Sequence, residues 1–367
     1  MKILIIPDKF KFSFSSLEIA DLIKKNIERT ISADIETIPI SDGGEGFLDA
    51  INFRNNYSII KTNVLNQLFT PIESHFLIKN QTAYIEYAKT GGLQLITESN
   101  HNPMFTSSFG LGQQILKAID IGAKKIIIGL GGSSTNDGGI GMAAALGYVF
   151  TDIHGKQLNP TGSNLINIHN ITKSELYYKL RDIEFFAATD VSNPLLGING
   201  AAKTYAAQKG ANEFEINELE KGMINYVNII KKTLKTTLNK IKGEGAAGGI
   251  GAGITAFLNG KIISGSQFII DFLKLEQKIK TADVIISGEG KLDNQTFQGK
   301  TVGQIYNLTK KHNKKLIIIA GFTEINTKPP NTNIITLFDK QTNIEEAKKM
   351  TSKRINEKLK IDYFTGN

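Results

Sequence analysis

Cysteine is absent from this 367-residue sequence. That absence excludes disulfides, thiolate zinc centres and cysteine nucleophiles, and it suits a reducing, cytoplasmic setting. Histidine is scarce: His75, His101, His154, His169 and His312 show no metal-ligand spacing, which argues against a zinc site. No Gly-x-Ser-x-Gly elbow occurs, so the common α/β-hydrolase chemistry is not expected. Long apolar runs are also missing. Ile3 to Ile6 stops at Pro7-Asp8, too short for a signal-peptide core, and no later segment approaches the length of a membrane span. Internal repeats and low-complexity tracts are not evident.

What is present is ordinary globular material with a basic excess. Hydrophobic residues make up 41%, charged residues 21%, and the formal charge is +8. The lysines sit in short surface-type pairs, such as Lys231-Lys232, Lys310-Lys311 and Lys348-Lys349, without interleaved aromatics. That pattern lacks a nucleic-acid recognition motif, and attraction of small anionic substrates is the better use of the charge.

Hydrophobic periodicity predicts an α/β protein. Ile3 to Ile6 reads as a buried strand, and Ser15 with Glu18 forms a capping box that opens a helix. A second strand over 35–40 leads to "DGGEG" (42–46) and another helix. From Tyr57 the texture changes to a meander of strands over 57–62, 72–78 and 83–87. A helix over 111–121, a strand over 125–130, a strand followed by a turn over 185–197 and a long basic helix over 213–241 follow. The βα texture returns with a strand over 283–287, a helix from Thr301, strands over 316–320 and 334–337, and a helix over 344–359. Buried parallel strands at both ends predict one domain from residues 1–56 plus 272–367. Residues 57–271 are then an inserted second domain of mixed α/β type.

Three glycine-rich stretches need separate readings. "GEGAAG" (243–248) satisfies the dinucleotide fingerprint, yet a helix tail rather than a strand is expected before it, so nicotinamide binding is not expected. "GLGGSSTND" (129–137) follows a strand and opens a helix, where Gly131 and Gly132 would admit an anion and Ser133, Ser134 and Thr135 would donate to it. "SGEGKLDNQTFQGKT" (287–301) nearly spells a phosphate-binding P-loop, but Asn294 replaces the leading glycine. Asp42 with Glu45, Asp137, Asp190, and Glu289 with Asp293 fall at the carboxyl ends of expected strands, where open α/β sheets bind ligands. Lys9 and Lys11 precede the Ser15 helix start as a further anion site, and Asp8 reads as a turn residue. Acids beside phosphate-suited loops favour a kinase.

Taken in order, "PDKFKFSFS" (7–15), "DGGEG", "GLGGSSTNDGG" (129–139), "DVSNPLLGINGA" (190–201), "QKGA" (208–211), "GEGAAGGIG" (243–251) and "SGEGKLDNQTFQGK" (287–300) resemble the two-domain bacterial glycerate kinase family, which is unrelated to P-loop kinases. The set spans nearly the whole chain. Lys9 and Phe12 depart from the Ser and Gly usual in the first motif. The resemblance implies a flavodoxin- or Rossmann-like domain built from both termini, a second α/β domain inserted in it, and an active site in the cleft between them. It implies ATP- and magnesium-dependent phosphorylation of D-glycerate to 2-phosphoglycerate.

On that reading Asp190 is the residue that orients or deprotonates the hydroxyl, with Lys11 and Asp293 as further catalytic candidates. Asp42 and Asp293 are the magnesium candidates. Gly131, Gly132, Ser133, Ser134, Asn136, Gly288, Gly290, Lys291 and Lys300 are candidates for ATP. Lys11, Ser15, Asp42, Glu45 and Asn193 are candidates for substrate. Arg29, Arg54, Arg181 and Arg354 lie outside the motifs, so lysines and backbone N–H groups rather than an arginine clamp are expected to hold the carboxylate. A kinase of a related hydroxy acid, a 3-phosphorylating glycerate kinase and a non-catalytic phosphometabolite binder are the alternatives. No nucleic-acid or membrane partner is expected, and monomer and homodimer both stay open.

Overall fold

The computed structural model describes residues 1–365, apart from Phe12, Asn55, Gln298, Asn326, Lys340 and Gln341. The Phe12 departure therefore lies outside the described residues. The chain separates into two compact units: Met1–Asp42, Asp49–Arg54 and Ser266–Asn367 form the first, and Gly43–Leu48 with Asn55–Gly265 form the second.

The first unit is an all-parallel five-stranded sheet. Its strands lie in the spatial order Thr332–Thr336, Lys315–Thr323, Val284–Leu292, Lys2–Ile5, Asp34–Thr37. Numbered along the chain, this is the flavodoxin order 2-1-3-4-5, whose switch point lies between the first and third strands. Here that point is the seam between Lys2–Ile5 and Val284–Leu292. The strands are continuous isoleucine-rich runs because both faces are covered. Ile3, Ile5, Val284, Ile286, Ile317 and Ile319 share one buried cluster with Ile19, Ile23 and Ile27 of helix Ser16–Thr30. Each such side chain contributes about 1.5–3 kcal/mol on full burial. The predicted Ser15–Glu18 capping box is present at that helix.

The second unit has a six-stranded sheet in the order Lys261–Ile263, Glu184–Ala188, Lys125–Gly129, Thr82–Glu86, Pro71–Lys79, Ser58–Leu65. The first four are mutually parallel, and the last two join as the antiparallel meander read from the sequence. Glu86, Gly129, Ala188 and Ile263 thus mark one carboxyl edge.

Three expected boundaries are corrected. The second strand ends at Thr37 rather than residue 40, although Ile38 still donates to the Ile5 carbonyl. The long helix is Glu213–Leu234 and stops well short of 241, because Lys235 turns left-handed at φ 58°. Consequently "GEGAAG" is preceded by a loop, not a helix tail. The strand expected to end at Ser287 runs on to Leu292. Glycine explains that extension: a Cβ at Gly288 would stand 2.2 Å from the Ile319 carbonyl oxygen, and one at Gly321 would stand 2.4 Å from that of Gly290. The two strands touch too closely for side chains, so pairing persists where a loop was expected.

Candidate active site

In the first unit, an acidic group gathers at the switch point. Beyond the first strand, Asp8 donates its backbone N–H to the Gly288 carbonyl and accepts the Lys9 N–H on its own Oδ1 at 2.7 Å. Burial pushes the Asp8 carboxyl up to about 6, and the nearby Asp42 charge adds to that, while Lys9 and the Thr301 hydroxyl oppose it. Glu289, on the neighbouring strand, is pushed up to about 7 by burial, reinforced by Asp8 and Asp293 and opposed by Thr296 and Lys300. Its Oε1 is inaccessible to solvent and accepts no hydrogen bond among the described residues. Asp8, read from the sequence as a turn residue, is therefore part of the candidate site, and Glu289 stands beside it. A buried carboxyl coupled to like charges leaves no periodicity in a sequence, and only the sheet order brings these two strand ends together.

The cations face the same acids. Lys9 Nζ lies 3.1 Å from Asp42 Oδ1, so the Asp42 carboxylate already holds an ammonium. Asp293 closes its own turn by accepting the Gln295 and Thr296 N–H groups on Oδ1, at 3.0 and 3.2 Å. Lys291 and Lys300 approach Asp293 at 3.8 and 3.9 Å, and Lys291 pairs more closely with Glu324, at 2.7 Å. Gly299, at φ 109° with open space where a Cβ would sit, turns the chain into helix Thr301–Lys311. Among the described residues no side chain caps that helix start, which leaves its first N–H groups as candidate donors to an anion. Gly288 and Gly290, expected in a phosphate-binding loop, lie instead inside a strand. Lys11 is exposed, and its backbone N–H lies 3.2 Å from where a Gly290 Cβ would stand. The Ser15 hydroxyl donates to Glu18 and accepts the Glu18 N–H, which engages it in the helix cap rather than with a ligand.

In the second unit, the carboxyl edge carries Asp190 and the glycine-rich loop. Asp190 follows strand Glu184–Ala188 and accepts a 2.7 Å hydrogen bond from the Ser264 hydroxyl at the end of the adjacent strand. Asn193 is held within its own turn: its Nδ2 donates to the Asn199 carbonyl at 2.8 Å, and its Oδ1 accepts from Tyr205 at 2.7 Å. It shapes the segment after Asp190. Glu45 is exposed on the Gly43–Leu48 stretch.

The loop 130–139 is pinned by Asp137. This buried carboxylate accepts from the Ser108 N–H and hydroxyl at 2.7 Å each, from the Gly139 N–H at 3.1 Å and from the Gly141 N–H at 3.2 Å. Burial pushes its carboxyl upward and those donors pull it back; four donors converging on two oxygens demand the ionised acceptor. A Cβ at Gly131 would stand 2.5 Å from the Gly44 Cα, so this glycine serves loop-to-loop packing, whereas Gly132 adopts φ 66° and a Cβ there would meet only the Ala88 Cβ at 3.7 Å. The Asn136 side chain is fully buried, and neither of its polar atoms has a partner among the described residues. Lys209 was not singled out by sequence reasoning, although the "QKGA" stretch that contains it was. It is buried beneath the loop, donating to the Ser133 Oγ at 2.9 Å and the Thr135 carbonyl at 2.6 Å.

A cavity of about 620 Å³ lined by Lys314, Lys315, Lys328 and Asn333 opens at the amino ends of the first unit's strands, away from Asp8 and Glu289. Among the described residues no three acidic or histidine side chains are spaced to hold a metal by themselves, and no helix is long and apolar enough to cross a membrane.

A flavodoxin-order sheet with acids, lysines and an open helix start at its switch point defines an α/β enzyme suited to phosphoryl groups. The glycerate kinase family profile matches residues 3–361. A glycerate kinase from Bacillus cereus is 36% identical over 362 residues, covering 97% of this chain and 95% of that one. A glycerate 2-kinase from Escherichia coli is 38% identical over 324 residues, covering 88% and 85%. The crystal structure of a protein described as glycerate kinase 2 from Salmonella typhimurium superposes with a TM-score of 0.79 at 34% identity, covering 97% and 95%. The chain belongs to the glycerate kinase family and is a kinase of mixed α/β fold.

Proposed function

We propose that this protein transfers the γ-phosphoryl group of ATP to the 2-hydroxyl of D-glycerate, giving 2-phosphoglycerate and ADP. The observation that carries the reading is the 38% identity, over most of the chain, to a protein named glycerate 2-kinase. The reaction forms one bond from the substrate oxygen to the γ-phosphorus and breaks the bond from that phosphorus to the β–γ bridging oxygen. The hydroxyl proton passes to Asp190, whose carboxylate is aimed by the Ser264 hydroxyl. Lys300 and the first N–H groups of helix Thr301–Lys311, with Lys291, hold phosphate oxygens. Lys11 holds the substrate carboxylate.

The residues present fit a magnesium ion. Magnesium needs only one or two carboxylates beside phosphate oxygens, and Glu289 offers a buried oxygen without a partner among the described residues, close to Asp8. Asp8 and Glu289 would hold it together with phosphate oxygens, with the Asp293 charge nearby. Asp42 is better suited to orienting Lys9, because an ammonium already occupies its carboxylate. When bound, the ion neutralises charge on the phosphate oxygens. The cysteine-free composition fits a cytoplasmic enzyme.

Incubation with MgATP and D-glycerate, followed by phosphorus NMR, tests the reading. A 2-phosphoglycerate resonance is expected. A 3-phosphoglycerate resonance would overturn the regiochemistry, and no phosphoester at all would overturn the kinase assignment.

A further inference from the structure

The glycine-rich loop presents three consecutive hydroxyls, Ser133, Ser134 and Thr135, and the sequence offers no way to choose among them. Hydrogen bonding does. The Ser134 hydroxyl donates to the Gly91 carbonyl at 3.0 Å, so its proton is engaged. The Thr135 hydroxyl shares a 2.8 Å hydrogen bond with the phenol of Tyr87 in the buried interior. Ser133 differs from both. Its oxygen accepts from the Lys209 ammonium at 2.9 Å, and its own proton finds no acceptor among the described residues.

Lys209 makes this asymmetry directional. In its protonated form Lys209 carries three donors and no acceptor, so its bond to Ser133 then runs only into the oxygen. The lone pair is occupied, the hydroxyl is polarised, and the proton is left to point away from the lysine. The lysine is 2% exposed, and among the described residues its ammonium hydrogen-bonds to no carboxylate; Asp137, further along the same loop, is the anion that acts on it at a distance. A neutral donor could brace Ser133 and Thr135 as well, without the desolvation cost of a buried charge. A charge under the loop, opposed by burial and favoured by the Asp137 carboxylate, favours an anion on the loop's other side, as does the left-handed Gly132 beside it, where a Cβ would meet only the Ala88 Cβ, in ordinary contact at 3.7 Å.

The geometry points to Lys209 as a positioning residue that acts through Ser133, fixing that hydroxyl as a one-way donor to an anionic oxygen of a bound ligand. The inference rests on the kinase reading, in which the anionic oxygen is either a phosphate of the nucleotide or the carboxylate of the hydroxy acid. Both sources present the same acceptor chemistry, and kinetics separates them.

The test compares wild type, Ser133→Ala, Ser133→Thr, Lys209→Met and the double variant Ser133→Ala/Lys209→Met. KM is measured for ATP at saturating D-glycerate and for D-glycerate at saturating ATP. Ser133→Ala is expected to raise one of these two KM values about tenfold or more, the loss of one hydrogen bond to a charged acceptor, with kcat changed much less. The affected substrate identifies the source of the oxygen. Lys209→Met is expected to raise the same KM, the double variant to be no worse than the poorer single variant, and Ser133→Thr to restore it. A merely structural lysine predicts otherwise: a lowered urea midpoint with both KM values unchanged, or effects that add. Either result overturns the inference, as does an unchanged KM in Ser133→Ala. If Lys209→Met does not fold, Ser133→Ala and Ser133→Thr decide the matter alone. Wild-type turnover of D-glycerate is read first, so failure of the kinase assignment is distinguished from failure of this inference.

Discussion

Replacing Asp137 tests whether the glycine-rich loop is held as the hydrogen bonds indicate. The carboxylate is fully buried and receives three backbone N–H groups and one hydroxyl. Asp137→Ala removes every acceptor and leaves the Ser108, Gly139 and Gly141 amides without one. An unsatisfied buried donor costs about 1–3 kcal/mol, so three amides set a loss of about 3 kcal/mol or more. One effect opposes this: deletion also relieves the desolvation of a buried charge. The donors win, because alanine offers neither an acceptor nor an apolar group of matching volume, and the amides cannot leave the loop. In a unit of this size, 3 kcal/mol lowers the melting temperature by roughly 6–12 °C. Asp137→Asn keeps one oxygen acceptor but sets an amide N–H against an N–H donor, so it should fall between wild type and Asp137→Ala. Urea titration followed by circular dichroism suits the measurement, since the chain has no tryptophan. A loss below about 1 kcal/mol for Asp137→Ala would refute the claim that this carboxylate pins the loop.

Three further outcomes are expected. Asp190→Asn should lower kcat by about 10²–10⁴-fold while leaving the circular dichroism spectrum and urea midpoint unchanged, and near-normal turnover would remove Asp190 from the chemical step. Gly248→Ala places a Cβ 2.0 Å from the Thr135 carbonyl oxygen at φ 66°, so it should destabilise by about 3 kcal/mol or more; an unaltered melting temperature would show that the loop yields without cost. Burial lowers the Lys209 ammonium to about 7, below its ordinary value near 10.5, despite the opposing Asp137 charge. The unfolded chain then binds the extra proton between those values, so this lysine's destabilisation is complete below about pH 7 and disappears as pH rises toward 10.5. The wild-type urea midpoint should therefore gain more between pH 7 and 9 than that of Lys209→Met, and parallel curves would contradict the lowered value.

The match between sequence and structure follows the range of the interactions involved. Strands such as Ile126-Ile127-Ile128 and Val284-Ile285-Ile286 were legible because burial on both faces demands continuous apolar runs. The Ser15–Glu18 cap was legible because its partners lie three residues apart. The extension of the third parallel strand to Leu292 was not, since it depends on Gly288 and Gly290 meeting Ile319 and Gly321 from a segment some thirty residues on. Asp8 was read as a turn former for the same reason: its burial comes from strands remote in sequence.

Hydroxyls and acids were harder still. Ser15, Asn193 and Ser134 have the residue types that bind ligands, yet each is engaged by a neighbour inside the fold. A side chain's type states what it can donate or accept, and only the tertiary structure decides whether that capacity is already in use.

The sequence by itself determined the α/β class, the family and the order of the motifs, because these follow from local periodicity and contiguous residues. The tertiary structure decided the strand order 2-1-3-4-5, the meeting of Asp8 with Glu289 and the placement of Lys209 under Ser133. Each of those requires segments far apart in the chain to lie within a few ångströms. Electrostatic coupling and hydrogen-bond direction depend on that distance and orientation, which residue identity alone does not encode.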